Sequence, residues 1–359
     1  MRASLWPRHG SLVLAFAALV AACVEGSAVT EDSVKFRALG LKVQTFSGQS
    51  GDVRSMAFSP CGTLALTGHF NGTAKLWSVA TKRRLLTLTG HTGVVLAVAF
   101  ARDGERLLTG SSDKTARIWN ATSGQELFAL RGHAGWVVAA SFSPDGTRVL
   151  TGAQDQTARL WDATSGEQIR VMEGHGGAPL AVAFSADGQR FLTSAAGENT
   201  TRLWDAASQR ELRTLKGHTA WVVAADWQGA ESTTVLTGSH DGTARLWSAA
   251  TGKRLLTLDG HAGDMLAVAL SADASLALTG SRDTTVRLWN MANGEPVRVL
   301  GGQSQGRGRP LALPAGALPA AVMFHPDNKQ ILLGLLLRPP PRQPRESEEM
   351  RQCKARCGE

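Results

Sequence analysis

The stretches Lys114–Asn120 (KTARIWN), Gln156–Asp162 (QTARLWD) and Gly242–Ser248 (GTARLWS) repeat one phrase, and the tryptophan near the end of each marks the beat of the chain. Trp77, Trp119, Trp161, Trp204, Trp247 and Trp289 follow one another at intervals of 42, 42, 43, 43 and 42 residues. A Gly-His pair opens the repeats at Gly90-His91, Gly132-His133, Gly174-His175, Gly217-His218 and Gly260-His261. Gly48-Gln49 and Gly302-Gln303 are degenerate versions at the two ends. Between these marks the texture is that of short strands. An alternating run such as VVLAVAF (Val94–Phe100) leads into an Asp-Gly turn, then LLTG, then TARIW, then a run such as LLTL (Leu85–Leu88). Asp-Gly between apolar runs is a hairpin signal, read here as a turn with positive φ at both central residues. Period-2 alternation sets Thr157, Arg159 and Trp161 on one face of a strand and Ala158 and Leu160 on the other, so both faces must pack against neighbours.

A period of about 40 to 45 residues, with Gly-His near the start and Trp-Asp near the end, resembles the WD40 family of β-propellers. The expected fold is therefore all-β. The resemblance covers residues 42–334, with repeats near 48–89, 90–131, 132–173, 174–216, 217–259 and 260–301 and a partial repeat at 302–334. It implies a hydrogen-bonded tetrad of His, Ser/Thr, Asp and Trp in each blade. Carried over by position, these are His91, Thr109, Asp113 and Trp119; His133, Thr151, Asp155 and Trp161; His218, Thr237, Asp241 and Trp247; and His261, Thr279, Asp283 and Trp289. Gln49 and Asn71 depart from the pattern in the first repeat, and Glu198 replaces Asp in the fourth, so intact tetrads are not expected there. A hydroxyl, a His and an Asp could spell a catalytic triad. A set repeated in every blade instead reads as structure, because a catalytic group is exposed in a cleft and unique.

Counting strands predicts how the ring closes. Lys42–Gly51 aligns with Arg84–Gly93, so the chain enters with a fourth strand that belongs to no preceding repeat. Blade six has its own fourth strand, and the orphan is expected to close a seventh blade whose first two strands lie in Ala321–Gly334 (AVMFHPDNKQILLG). That blade is incomplete. Beyond Gly334 the expected SxDxTxRLW does not come, and the segment 335–359, with Pro339–Pro341 and dense charge, is expected to be disordered.

Net charge is +8 in 359 residues. Part of it lies in the N-terminal, Gly301–Ala320 and C-terminal segments. Lys75, Arg117, Arg159, Arg202, Arg245 and Arg287 each stand two positions before a Trp, a packing position rather than a groove-tracking patch, so no nucleic-acid partner is expected. The His residues fall one per blade with no Cys or His cluster, so neither a metal nor a cofactor is expected. At the N-terminus, Arg2 and Arg8 precede the apolar SLVLAFAALVAA (Ser11–Ala22) and then Cys23. Charge, a short apolar run and small residues are the order of an export signal over residues 1–22. Val20-Ala21-Ala22-Cys23 resembles the lipobox of bacterial lipoproteins, which implies lipidation at Cys23, residues 23–41 as a tether, and a propeller held by a membrane lipid anchor facing the periplasm of a bacterial envelope. A chain cleaved without lipidation, free in the periplasm or secreted, and an unprocessed, cytoplasmic chain are the alternatives.

Functional residues should break the repeat's monotony. Three positions past each His stand Trp136 and Trp221, with Asp52 and Asp264 at the matching places in blades one and six. Two further on come Arg54, Leu96, Val138, Leu180, Val223 and Leu266, and before the hairpin Asp come Phe70, Ser112, Gln154, His240 and Arg282. In the WD40 family these parts of the chain line the top face. Exposed aromatics with an acidic side suit a protein or peptide partner. For the aliphatic positions an inward, packed orientation is an equal alternative. The expectation is a monomeric, non-catalytic protein–protein interaction scaffold. A cytosolic regulatory or signalling adaptor, and a propeller enzyme or small-ligand binder at the channel mouth, are the alternatives.

Overall fold

A computed structural model describes residues 40–44, 53–228, 233–271, 273–301, 318–324 and 330–336. All regular structure among them is strand, and no helix is long and apolar enough to cross a membrane. Six sheets have four antiparallel strands in sequence order. Blade three shows the pattern, with strands Val137–Phe142, Arg148–Ala153, Ala158–Asp162 and Gln168–Met172. The first strands of successive blades pack on one another around a ring, which places them nearest its axis and the fourth strands outermost.

Each junction between blades is one apolar cluster. Trp161 of blade three packs with Ile118 and Leu130 of blade two, and Trp204 of blade four with Leu160 and Met172 of blade three. First strands are buried on both faces, as in Val137–Phe142, because each is flanked by two blades. The Gly of the LTG motif follows from this closeness. A Cβ on Gly110 would lie 2.7 Å from Val137 Cγ1 in the next blade, so only hydrogen fits there.

The seventh sheet has three strands, Gly40–Gln44, Gln330–Leu336 and Leu318–Phe324 in spatial order. An N-terminal strand does close the ring, and it does so in parallel, with Gly40 opposite Gln330 and Gln44 opposite Gly334. The direction has a simple cause. In a complete blade the fourth strand is antiparallel to the third and therefore parallel to the second. With no third strand in place, the N-terminal strand keeps the direction of a fourth strand and meets the second directly. Closure also rests on packing: Ala321, Val322, Met323, Phe324, Ile331 and Leu333 join one cluster with Leu278 and Leu288 of blade six and Met56 and Phe58 of blade one. Strand pairing continues to Leu336, two residues past the 334 boundary read from sequence.

The Asp-Gly turns differ from the expected form. Gly146 is left-handed at φ 69°, whereas Asp145 is not among the positive-φ residues, and Gly146 N–H donates to Ser143 O at 2.8 Å. Asp145 serves by side chain instead: its carboxylate accepts from Ser143 Oγ at 2.5 Å and from Thr147 N at 3.0 Å. This is a four-residue loop built on a type I turn. Cys61 occupies the same place in blade one, its Sγ 3.0 Å from Thr63 Oγ1.

Candidate functional site: the loop face around the axis

The repeated polar residues form directed chains. In blade three Trp161 Nε1–H donates to Thr151 Oγ1 at 2.8 Å, Thr151 Oγ1 lies 2.7 Å from His133 Nε2, and His133 Nδ1 lies 2.9 Å from Asp155 Oδ2. With the indole fixed as donor and the carboxylate as acceptor, the Thr hydroxyl donates to Nε2 and Nδ1–H donates to Asp155. The same chain runs through His91, Thr109, Asp113 and Trp119; His218, Thr237, Asp241 and Trp247; and His261, Thr279, Asp283 and Trp289.

Blade four corrects the sequence expectation. Glu198 keeps its tetrad, at 3.2 Å from His175 Nδ1, while Thr193 bonds His175 and Trp204, both at 2.8 Å. Glu198 also accepts from Gly176 N at 2.6 Å, as Asp155 accepts from Ala134 N in blade three. Blade one is repaired differently. Gln49 lies outside the described residues, but His69, fully buried on the second strand, places Nε2 2.9 Å from Thr67 Oγ1, which accepts from Trp77 Nε1 at 2.8 Å. Sequence alignment missed His69 because its partner role comes from a different strand position than the other tetrad His.

Burial pushes the His133, His175 and His218 rings below the ordinary imidazole range, against the attraction of Asp155, Glu198 and Asp241. The structure shows why: Nε2 already accepts the Thr hydroxyl, so a second proton would break the chain. Burial alone would raise Asp113, Asp241 and Asp283. Hydrogen bonds from the paired His and from Thr115, Thr243 and Thr285 outweigh it and hold these carboxyls well below the usual range. Lys75, Arg117, Arg159, Arg202, Arg245 and Arg287 lie along the third strands as expected. Arg159 Nη1, for example, bonds Gln168 Oε1 at 2.5 Å. Among the described residues no group of three or more His, Cys, Asp or Glu is placed to hold a metal.

The residues that break the pattern gather at one end of the ring. In blade three Gln154 N–H donates to Trp136 O, in blade five His240 N–H to Trp221 O, and in blade six Arg282 N–H to Asp264 O. These bonds clamp the hairpin before each tetrad carboxylate against the loop leading into the first strand. Two surfaces result. Trp136 is 47% exposed and Trp221 39%, with the Trp221 indole stacked on His240 at 5.9 Å between ring centroids. In the neighbouring blade six Arg282 Nη1 lies 3.3 Å from Asp264 Oδ2, and in blade one the Arg54 guanidinium sits 3.8 Å over the exposed Phe70 ring. Burial lowers the His240 imidazole, with Asp264 opposing and Arg282 adding to the shift. Asp52 lies outside the described residues, as does Cys23.

The aliphatic positions are a correction. Leu96 is half-buried, while Val138, Leu180, Val223 and Leu266 are buried and offer no partner an exposed apolar ring. Val138, Leu180 and Val223 instead pack on one another, with Leu96, Ala178 and Ala196 against them. The cause is a β-bulge near the start of every first strand. The ladder skips one residue between Val95 and Ala97, Val137 and Ala139, Pro179 and Ala181, Val222 and Ala224, and Met265 and Ala267. The skipped residue is each time the aliphatic one, and the bulge turns it towards the axis. Arg54 is the skipped residue of blade one.

Six stretches, residues 40–78, 82–120, 124–162, 166–205, 209–248 and 252–290, match the family described as WD domain, G-beta repeat, and together they span more than half of the chain. Compared with curated proteins, the chain has no significant match. The repeat matches, the ring of blades and the tetrads agree: the chain belongs to the WD40 family, whose propellers typically serve as scaffolds for protein–protein interaction and are generally non-catalytic.

Proposed function

We propose that this protein is a non-catalytic interaction scaffold that takes a peptide segment of its partner on the loop face, with Trp136 and Trp221 as anchors. The observation that carries the reading is the exposure of these two indoles, on blades three and five, beside a packed apolar floor of Val138, Leu180, Val223, Ala178 and Ala196. Tryptophans are enriched among residues that dominate interface energies, and a rigid floor lowers the entropy cost of docking. Against catalysis stands the commitment of the His, Thr and Asp side chains to one another inside the blades. The lipobox-like Val20-Ala21-Ala22-Cys23 supports an anchored, periplasm-facing location in a bacterial envelope.

Two experiments test this. Affinity capture from envelope extracts should recover a partner that is lost with Trp136→Ala plus Trp221→Ala. At about 2 kcal/mol or more per anchor, each change weakens binding roughly 30-fold. Undiminished capture by the double variant rejects the loop-face assignment. Radiolabelled palmitate should enter the protein in a bacterial host and vanish with Cys23→Ala; an unlabelled wild-type chain removes the anchor.

A further inference from the structure

We infer that the outer edge of blade seven is a second interaction surface. It takes one extended strand of another protein as the fourth strand of the blade, and a Leu or Met side chain of that strand covers Trp77. The site lies on the rim of the ring and is independent of the loop face and its two indoles.

Register shows where the sheet is short. Gln44 pairs with Gly334 in blade seven at the level where Ala158 pairs with Gly152 in blade three and Val286 with Gly280 in blade six. Gly40–Gln44 therefore fills the third place of its sheet. In each of the other six sheets a fourth strand pairs beyond that place. Among the described residues no strand pairs with the outer side of Gly40–Gln44.

The other junctions specify what completes this one. From blade two to blade six, each tetrad Trp shares a cluster with an aliphatic residue from the fourth strand of the blade before. Leu88 lies with Trp119, Leu130 with Trp161, Met172 with Trp204, Leu215 with Trp247 and Leu258 with Trp289. Those five indoles are 1% to 7% exposed. Trp77, which packs towards blade seven, is only half-buried. A strand in the fourth place would continue the same interface around the ring. Met172 pairs at the level of Ala158, so the incoming strand sets its aliphatic residue opposite Gln44. Main-chain hydrogen bonds along the edge and burial of the remaining indole surface supply the affinity.

The edges themselves discriminate. Every fourth strand carries a bulge near its start, where the ladder steps over Leu85, Leu127, Ile169, Leu212, Leu255 and Val297. A bulge bends an edge away from further pairing. The pairing of Gly40–Gln44 runs without one, so blade seven offers the regular template. Beyond Leu337 the sequence holds no Leu, Ile or Val, so the C-terminal segment lacks the branched side chain that the site calls for.

The test uses the full chain and a blocked synthetic peptide with the sequence of Arg83–Gly90 (RRLLTLTG), the strand whose Leu88 lies with Trp119. Amide hydrogen exchange, resolved residue by residue, is the readout. At about 1 mM the peptide should slow exchange of the outward amides of Gly40–Gln44 roughly tenfold, and the same peptide carrying Leu88→Asp should not. It should also reduce acrylamide quenching of the wild type but not of Trp77→Phe. Both effects should persist in Trp136→Ala plus Trp221→Ala, which separates this edge from the loop face. Equal protection by the two peptides, protection of the other fourth strands instead, or no protection would overturn the inference. So would slow exchange of the outward amides before peptide is added. If that protection rises with protein concentration, a second copy takes the edge; if it does not, the chain covers the edge itself.

Discussion

Blades three and seven are built on one plan and held together by different means. Blade three carries a complete polar chain, Trp161 to Thr151 to His133 to Asp155, with Thr151 and Trp161 fully buried on its second and third strands. In blade seven the position of Thr151 is held by Leu333: Val322 pairs with Leu333 as Ala140 pairs with Thr151. Leu333 is fully buried, and among the described residues no third strand brings a Trp to the sheet. In these two blades the tetrad is kept or given up as a unit. A Thr without its indole and imidazole would strand a buried hydroxyl, whereas apolar replacement of partners together is nearly neutral. What every blade must keep is the inner pair of strands, because each junction buries its core there.

That difference can be attacked directly. The largest effects should come from the cores that both blades share. Trp161→Ala and Phe324→Ala are each expected to destabilise the protein by about 3–5 kcal/mol, measured by denaturant unfolding, because each leaves a large cavity at a blade junction. A loss below about 1 kcal/mol for Phe324→Ala alone would mean that blade seven does not close the ring. Next come two substitutions at equivalent positions with opposite chemistry. Thr151→Val leaves the Trp161 N–H and His133 Nε2 without partners and should cost about 2–4 kcal/mol, whereas Leu333→Thr introduces the same hydroxyl where nothing receives it and should cost about 1–3 kcal/mol. If Leu333→Thr stabilises the chain, blade seven contains a partner set that the comparison denies.

The effect of pH is more gradual and belongs to the tetrad blades. His133, His175 and His218 resist protonation in the fold, while an unfolded chain takes those protons near pH 6.5. The unfolded state then binds more protons, so stability is full above pH 6.5 and falls as the pH drops below it. Asp113, Asp241 and Asp283 have depressed values, so their contribution is present above about pH 4 and is lost as the pH falls further. Denaturant midpoints from pH 8 to pH 4 should decline through this range, and His133→Gln should flatten the decline between pH 7 and pH 5. An equally steep decline in the variant would remove His133 as a cause.

Much of this was legible in the sequence because a repeat averages out local ambiguity. The Trp ladder, the tetrads of blades two, three, five and six, and the orphan N-terminal strand all follow from residues recurring at fixed spacing. What could not be read depended on register and direction in space. Glu198 fails a letter-by-letter comparison, yet it reaches His175 because its hairpin is one residue longer. His69 serves Thr67 from its own strand, which no alignment of Gly-His pairs reveals. For Val138, Leu180, Val223 and Leu266 the sequence left an outward and an inward orientation equally open, and the bulge decides which way they point. The parallel pairing of Gly40–Gln44 is a consequence of a missing third strand, and period-2 patterning carries no information about strand direction.

On the proposed function labour is divided: residues that recur in every blade hold the ring, and those that interrupt the recurrence are proposed to meet the partner. Measuring the unfolding midpoint and partner capture side by side for Trp136→Ala plus Trp221→Ala and for Thr151→Val tests it most directly. The account predicts that the Trp variant keeps its unfolding free energy within about 0.5 kcal/mol and loses capture. Thr151→Val should lose stability but still capture its partner wherever it remains folded. A Trp double variant that captures as the wild type does, or a folded Thr151→Val that does not, would contradict it.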